Sequence, residues 1–179
     1  ANEIVRIQLT DGSIPFAQNC GTGNRNHYGF NVISQSVFVT GATGFVGAHV
    51  VKKLIAAGYQ VRILRRARSR MKLLEGLTYE GVTGDVTDRS SVFGAVAGCE
   101  AVFHVAGNVS FWRGDNENQN QVNIGGTRNV VEACLAQDVR RLVHTSSVAA
   151  IGFRPDGLPA DETLAFNWWP YRINYCNSK

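Results

Sequence analysis

The chain has 179 residues, 44% of them hydrophobic and 18% charged, with a formal net charge of +4. That fits one ordinary globular domain with enough chain for a substantial core. No run of about 18 apolar residues occurs, so no membrane span is expected. The N-terminus lacks a basic stretch followed by an apolar one, which argues against a signal peptide. Cys20, Cys99, Cys134 and Cys176 are widely spaced, with no C-x-x-C pair and no His at ligand spacing. This argues against a metal site and against a secreted disulfide scaffold, and favours reduced thiols in a cytoplasmic protein.

Residues 1–35 read differently from the rest. Ile4, Val5, Ile7 and Leu9 before Thr10-Asp11-Gly12-Ser13 suggest a short strand and turn, and 19–29 is Gly- and Asn-rich loop. No chemistry is apparent there, so 1–35 is an N-terminal extension of unknown role and the domain is 36–179. From Ser36 strands and helices alternate. Ser36–Thr40 is a short buried strand, followed by a helix over 46–57 that Gly58 can cap. Residues 60–64 form the second strand, and 78–82 a weaker third. Asp88 can N-cap a helix running to 97. Residues 101–105 form the fourth strand. A polar stretch (DNENQNQ, 115–121) then precedes a helix that reaches about 134–137, and 141–145 is the fifth strand. This alternation predicts an α/β fold, a doubly wound parallel sheet of Rossmann type with helices on both faces.

Gly41, Gly44 and Gly47 follow a strand and open a helix. In that context the first permits a tight turn, the second lets backbone approach a pyrophosphate, and the third lets helix and strand pack closely. The candidate set here is Gly41, Thr43, Gly44, Phe45, Val46 and Gly47, whose free amides and helix dipole suit an anion. The basic excess falls on Arg62, Arg65, Arg66, Arg68, Arg70 and Lys72, with no acid among them. Such a run is usually a solvated face, and nucleic acid is a general alternative. Its place at the end of strand two suggests something narrower. An acidic residue there would hold a ribose 2′-hydroxyl; Arg65 and Arg66 instead offer planar forks to a 2′-phosphate. NADP(H) is therefore favoured, with NAD(H) left open.

Tyr175 and Lys179 are four apart and share a helix face. A free phenol titrates near 10, and a neighbouring ammonium favours its phenolate, which suits proton exchange beside a nicotinamide. Alone, such a pair is common. His104 and His144 sit in apolar strands and read as satisfied core histidines. Asp161-Glu162 reads as a solvated turn, and Trp112, Trp168 and Trp169 as aromatic packing before they read as a pocket wall.

The form Thr40-Gly41-x-x-Gly44-x-x-Gly47, followed in order by Gly84-Asp85-Val86, His104-Val105-Ala106-Gly107, the run from Asn123 to Asn129, Thr145-Ser146-Ser147 and Tyr175-x-x-x-Lys179, resembles the extended short-chain dehydrogenases/reductases. The resemblance covers 37–179 and is nearest the dihydroflavonol-reductase-like and sugar-epimerase-like members. It implies that Asp85 and Val86 meet the adenine, and that Ala106, Gly107 and Thr145 line the cofactor. It further implies Ser147, Tyr175 and Lys179 as the catalytic residues, Tyr175 and Lys179 also contacting the nicotinamide side. The implied activity is hydride transfer between NADP(H) and a carbonyl or alcohol substrate or a nucleotide-sugar. No nucleic-acid or membrane partner is implied, and self-association stays open.

Members of this group continue past the lysine into a substrate domain. The 179-residue chain is therefore expected to be incomplete, with Lys179 in a loose terminal turn and little activity of its own. The alternative is a non-catalytic dinucleotide-binding module or truncated relic.

Overall fold

The computed structural model describes residues 35–179; the expectations for 1–34 lie outside it. The short apolar runs become five parallel strands, β1 (Ser36–Thr40), β2 (Gln60–Arg65), β3 (Glu80–Thr83), β4 (Ala101–His104) and β5 (Arg141–His144). They lie in the order β3-β2-β1-β4-β5, so the direction of winding reverses between β1 and β4. Side chains alternate faces along a strand, and each face of β1 is buried. Val37 and Val39 pack with Ile63 against Val51 and Leu54 of α1 (Phe45–Ala56). Phe38 and Val102 pack on the other side against Val92 and Val96 of α2 (Arg89–Val96), and against Val130 of the helix after β4. Double coverage is what a parallel sheet requires. The expected fold class is the observed one.

Local signals account for most boundaries. The α1 helix ends in a Schellman pair: Tyr59 N donates to Leu54 O (3.1 Å) and Gly58 N to Ile55 O (2.9 Å), with Gly58 at φ +87°. Asp88 caps α2 by accepting from Ser90 N (3.0 Å). The third strand starts at Glu80, two residues later than expected, where its ladder with β2 begins at Arg62. Arg62 is no part of a solvated basic face. Its guanidinium donates to Glu80 (2.8 Å) and to the carbonyls of Ala95 (2.9 Å) and Ala97 (2.7 Å) at the end of α2.

The polar stretch before the fourth helix differs from expectation. It is itself helical, as α3 (Asn116–Asn120), a π turn (Gln121–Gly126) and α4 (Thr127–Ala136) in succession. The reason lies in what it buries. Gln119 is fully buried, and its amide donates to the carbonyls of Asn108 (3.1 Å) and Ser110 (3.0 Å) in the loop after β4. A final short helix, α5 (Asn174–Ser178), packs on the single turn Val148–Ala150.

At the carboxyl ends of β1 and β4, Thr40 Oγ1 accepts from Val105 N (3.2 Å) and Ala106 N (3.1 Å). With two donors already on its oxygen, the hydroxyl gives its own hydrogen to His104 Nδ1 (2.7 Å). The ring hydrogen then sits on Nε2 and is donated to Thr127 Oγ1 (2.9 Å). His104 is thus a satisfied core histidine, as the sequence suggested. Its burial first, and then the neighbouring His144 and Lys179, push its pKa down to about 3.

A folded pKa below the unfolded value of 6.5 means that the unfolded chain takes up the proton first. Stability is then complete above about pH 6.5 and declines as pH falls towards 3. His144, also held low by burial and by Lys179, adds in the same direction. Between pH 7 and pH 5 urea unfolding should lose about 2 kcal/mol through His104. His104→Asn should be less stable at pH 7 but show a flatter pH profile. A parent chain equally stable at both pH values would remove this assignment.

Candidate active site

The chain must turn immediately after Thr40 to begin α1. Gly41 does so at φ +67°, so tightly that a Cβ would stand 2.5 Å from Ala106 N. A Cβ on Gly47 would stand 2.1 Å from Gly41 O. Both glycines are therefore demanded by the protein's own packing. Gly44 differs: its nearest atom would be Gly41 O at 3.3 Å. Beyond its chain neighbours, no other heavy atom would come within 4 Å of that Cβ, so the other side of Gly44 is open. The amides of Phe45, Val46 and Gly47 have no carbonyl partner among the described residues, and the first turn of α1 carries no acid. Free donors and the positive end of the helix dipole thus face one direction.

They face a cleft of about 640 Å³ at the switch point between β1 and β4. Gly41, Thr43, Gly44, Phe45, Val46 and Gly47 form one wall. Arg65 and Arg66 stand at the end of β2, Asp85 and Val86 after β3, and Ala106 and Gly107 after β4. Arg65 O accepts from Gly84 N (2.9 Å), and Ser69 Oγ accepts from Arg66 N (3.1 Å), so the backbone of this corner is fixed. Neither arginine forms an ion pair among the described residues. The Asp85 carboxylate accepts from Thr87 N (3.0 Å) and Thr87 Oγ1 (2.9 Å), which folds its loop into an Asx turn.

None of Thr145, Ser147, Tyr175 and Lys179 lines this cleft; Lys179 alone is seen to reach it. Lys179 Nζ donates to Thr145 O (3.0 Å) and stands 3.7 Å from where a Cβ on Gly107 would be. The ammonium is thus tied to the end of β5 and reaches the cleft's edge, unlike the loose turn expected from the sequence. Partial burial lowers its pKa from the ordinary lysine value. Ser147 is buried, and its Oγ accepts from Ala149 N (3.1 Å) to start the turn on which α5 rests. The Tyr175 ring meets Phe111 edge-on, 5.9 Å between centroids.

Some site residues were missed in the sequence. Asn123, buried in the π turn, accepts from Asn108 N (2.8 Å) and donates to Asn108 O (3.0 Å) and Ser178 Oγ (2.9 Å). It joins the cleft loop to the helix that carries Lys179, and π turns often occur at functional sites. Asn108, Asp115 and Asn118 also line the cleft; the polar stretch was the signal, read as connection.

His144 is a correction. It stacks on His104 (5.1 Å), but its buried Nδ1 has no hydrogen-bond partner, so it is not a satisfied core histidine. Burial first, and then the nearby Lys179 charge, lower its pKa from the ordinary histidine value. Asp161 does cap its own exposed turn through Thr163. Trp168 packs with Phe153 and donates to Ile151 O (2.8 Å), while Trp112 and Trp169 are exposed. Among the described residues Cys99, Cys134 and Cys176 are free thiols, no group of three or more His, Cys, Asp or Glu could hold a metal ion, and no helix is long and apolar enough to cross a membrane.

Residues 37–179 match the profile of the NAD dependent epimerase/dehydratase family. The chain belongs to that family. A protein of Synechocystis sp., which its name proposes to be a dihydroflavonol 4-reductase, is 46% identical over 126 residues, covering 70% of this chain and 36% of its own length. The sterol demethylase protein B of Methylococcus capsulatus is 42% identical over 122 residues, covering 68% and 37%. A short-chain dehydrogenase/reductase superfamily protein of Agrobacterium tumefaciens, crystallised with bound NAD, superposes with a TM-score of 0.68 at 32% identity, covering 81% of this chain and 42% of that one. The chain spans a little over a third of the length of these two sequence relatives. The extended short-chain dehydrogenase/reductase character read from the motifs is that of this family.

The glycine geometry separates three substitutions. Gly41→Ala and Gly47→Ala should each lower stability by about 2–3 kcal/mol, because the added methyl meets backbone that cannot yield. Gly44→Ala should change stability by less than about 1 kcal/mol. Equal melting-temperature losses in all three would mean that Gly44 is held by internal packing as well.

Proposed function

We propose that this chain forms the NADP(H)-binding part of an oxidoreductase that interconverts a carbonyl and an alcohol. One observation carries the reading: the Lys179 ammonium, four residues beyond Tyr175, sits on Thr145 O at the edge of the cleft opened by the glycine turn. The lysine expected to assist the proton transfer thus adjoins Gly107, one of the residues expected to hold a dinucleotide. The name of the Synechocystis relative supports an oxidoreductase, and the NAD held by the Agrobacterium protein supports a nicotinamide dinucleotide; the preference for the phosphorylated form rests on Arg65 and Arg66 alone.

Within this reading the amides at the start of α1 receive the pyrophosphate, where donors and helix dipole favour negative charge. The Asp85-Val86 loop meets the adenine. Arg65 and Arg66 take the 2′-phosphate; two guanidiniums without ion pairs among the described residues would hold a bare 2′-hydroxyl poorly. The nicotinamide, when bound, supplies or accepts the hydride. Tyr175 passes the proton to or from the substrate oxygen, Ser147 orients that oxygen, and Lys179 holds the ribose side of the site. The burial of Ser147 favours a second reading, a non-catalytic dinucleotide-binding module, because its hydroxyl is already engaged in capping a turn.

Titration by tryptophan fluorescence should give tighter binding of NADPH than of NADH. Replacing Arg65 and Arg66 by Ala should weaken NADPH by about 1–3 kcal/mol and leave NADH nearly unchanged. Gly44→Ala should weaken both cofactors alike. Equal affinity of the parent chain for the two cofactors would end the argument for the phosphorylated form.

A further inference from the structure

A second cavity, of about 150 Å³, has in its wall Phe111, whose ring the Tyr175 ring meets edge-on at 5.9 Å between centroids. Its lining includes Arg113 and Arg172 with Asn116 and Asn174, between the aromatic walls Phe111 and Tyr171, and no carboxylate is part of it. Neither arginine forms an ion pair among the described residues. The nearest acid along the chain, Asp115, is engaged elsewhere: its carboxylate accepts from Asn108 Nδ2 (2.8 Å) and Asn118 Nδ2 (2.9 Å) and faces the larger cleft.

Two further features fix the walls of this cavity. Arg172 closes the short turn Trp169–Tyr171 in the left-handed backbone, at φ 51° and ψ 35°, as residues at such ends commonly do. The wall beneath is fixed by a buried polar network. Asn174 Nδ2 donates to Gln119 Oε1 (2.7 Å) and Asn120 Oδ1 (3.0 Å), and Gln119 in turn holds the carbonyl of Ser110, another lining residue. The cavity therefore has Arg113 and Arg172, without ion pairs among the described residues, in a lining that also includes Asn174, the residue before Tyr175. Planar guanidinium forks recognise carboxylate or phosphate oxygens.

We infer that the substrate carries an acid group, a carboxylate or a phosphate monoester, which Arg113 and Arg172 hold while the carbonyl lies at Tyr175. This rests on the oxidoreductase reading above and names the substrate class for it. The size limits the group. A recess of about 150 Å³ suits an acid group on a short stem. The aromatic walls suit an apolar stem.

The test uses the 179-residue chain and amide-resolved NMR titration with three probes: 4-oxopentanoate, its neutral methyl ester, and inorganic phosphate. The acid, the phosphate or both should shift the amides around residues 110–116 and 171–174 saturably, and the ester should bind at least about tenfold more weakly. Whichever anion binds more tightly names the acid group. The double variant R113Q/R172Q should lose about tenfold or more of that affinity while NADPH binds it as before. Both side chains are exposed, so the variant should keep the parent's spectral dispersion, and R113K/R172K should retain part of the affinity. Shifts of equal size with acid and ester, or shifts that persist in R113Q/R172Q, would overturn the inference. If NADPH failed to bind the parent chain while the anion did, the cofactor reading would fall and the anion site would stand.

Discussion

The joint between Thr40 and Gly41 governs the rest of the structure. A parallel sheet leaves its strand ends as separate loops, and nothing in the ladder itself brings those of β1 and β4 together beyond His104. Here one hydroxyl oxygen accepts two amides from the far loop, at 3.2 and 3.1 Å, while the next residue has no side chain and presses its backbone on Ala106. The two walls of the cleft are thereby held by backbone contact. Backbone contact allows little adjustment, so the glycine turn and the segment after β4 behave as one piece.

That joint also fixes an internal polar chain. Because the Thr40 oxygen is filled by two donors, its hydrogen has one direction left, towards His104, and the ring must pass its own hydrogen to Thr127. A strand end, a buried ring and the start of α4 are connected by bonds of defined polarity in a low-dielectric interior, where an unmade bond is costly. The neighbouring His144 shows what happens outside the chain. It shares the stacking but has no donor or acceptor for Nδ1. Lys179 lies close enough to influence both rings, so the ammonium at the edge of the cleft and the histidines under the sheet's end share one electrostatic environment.

The legible parts of the fold were those where a local rule acts alone. Gly58 closes α1 and Asp88 opens α2 because a helix end needs those bonds whatever surrounds it. The strands were legible because a two-sided sheet demands unbroken apolar runs. The glycine turn was legible because close backbone approach leaves no other residue type. What escaped was polar and tertiary. A stretch such as Asn116–Asn120 has no apolar period to read, since its helix buries Gln119 to satisfy loop carbonyls rather than to fill a core. Arg62 looked like its basic neighbours, but its partners lie 18 to 37 residues away in the chain. The same holds for Arg113 and Arg172, distant in sequence and brought to one cavity by the fold.

The two sides of the site are held by different means, and this bears on how each can change. On the cofactor side the fit depends on absent side chains, at Gly41 and Gly47, with a few donors supplied by helix α1. Such geometry is nearly all-or-none: a single methyl on Gly47 would stand 2.1 Å from a carbonyl oxygen. On the reacting side, position depends on side-chain amides. Asn123 reaches Ser178, Asn174 reaches Gln119 and Asn120, and Lys179 reaches a single carbonyl. Each bond there is worth on the order of 1 kcal/mol and can be lost without collapse of the core. The cofactor side therefore sets whether the domain folds with a cleft at all, while the reacting side can shift by small steps.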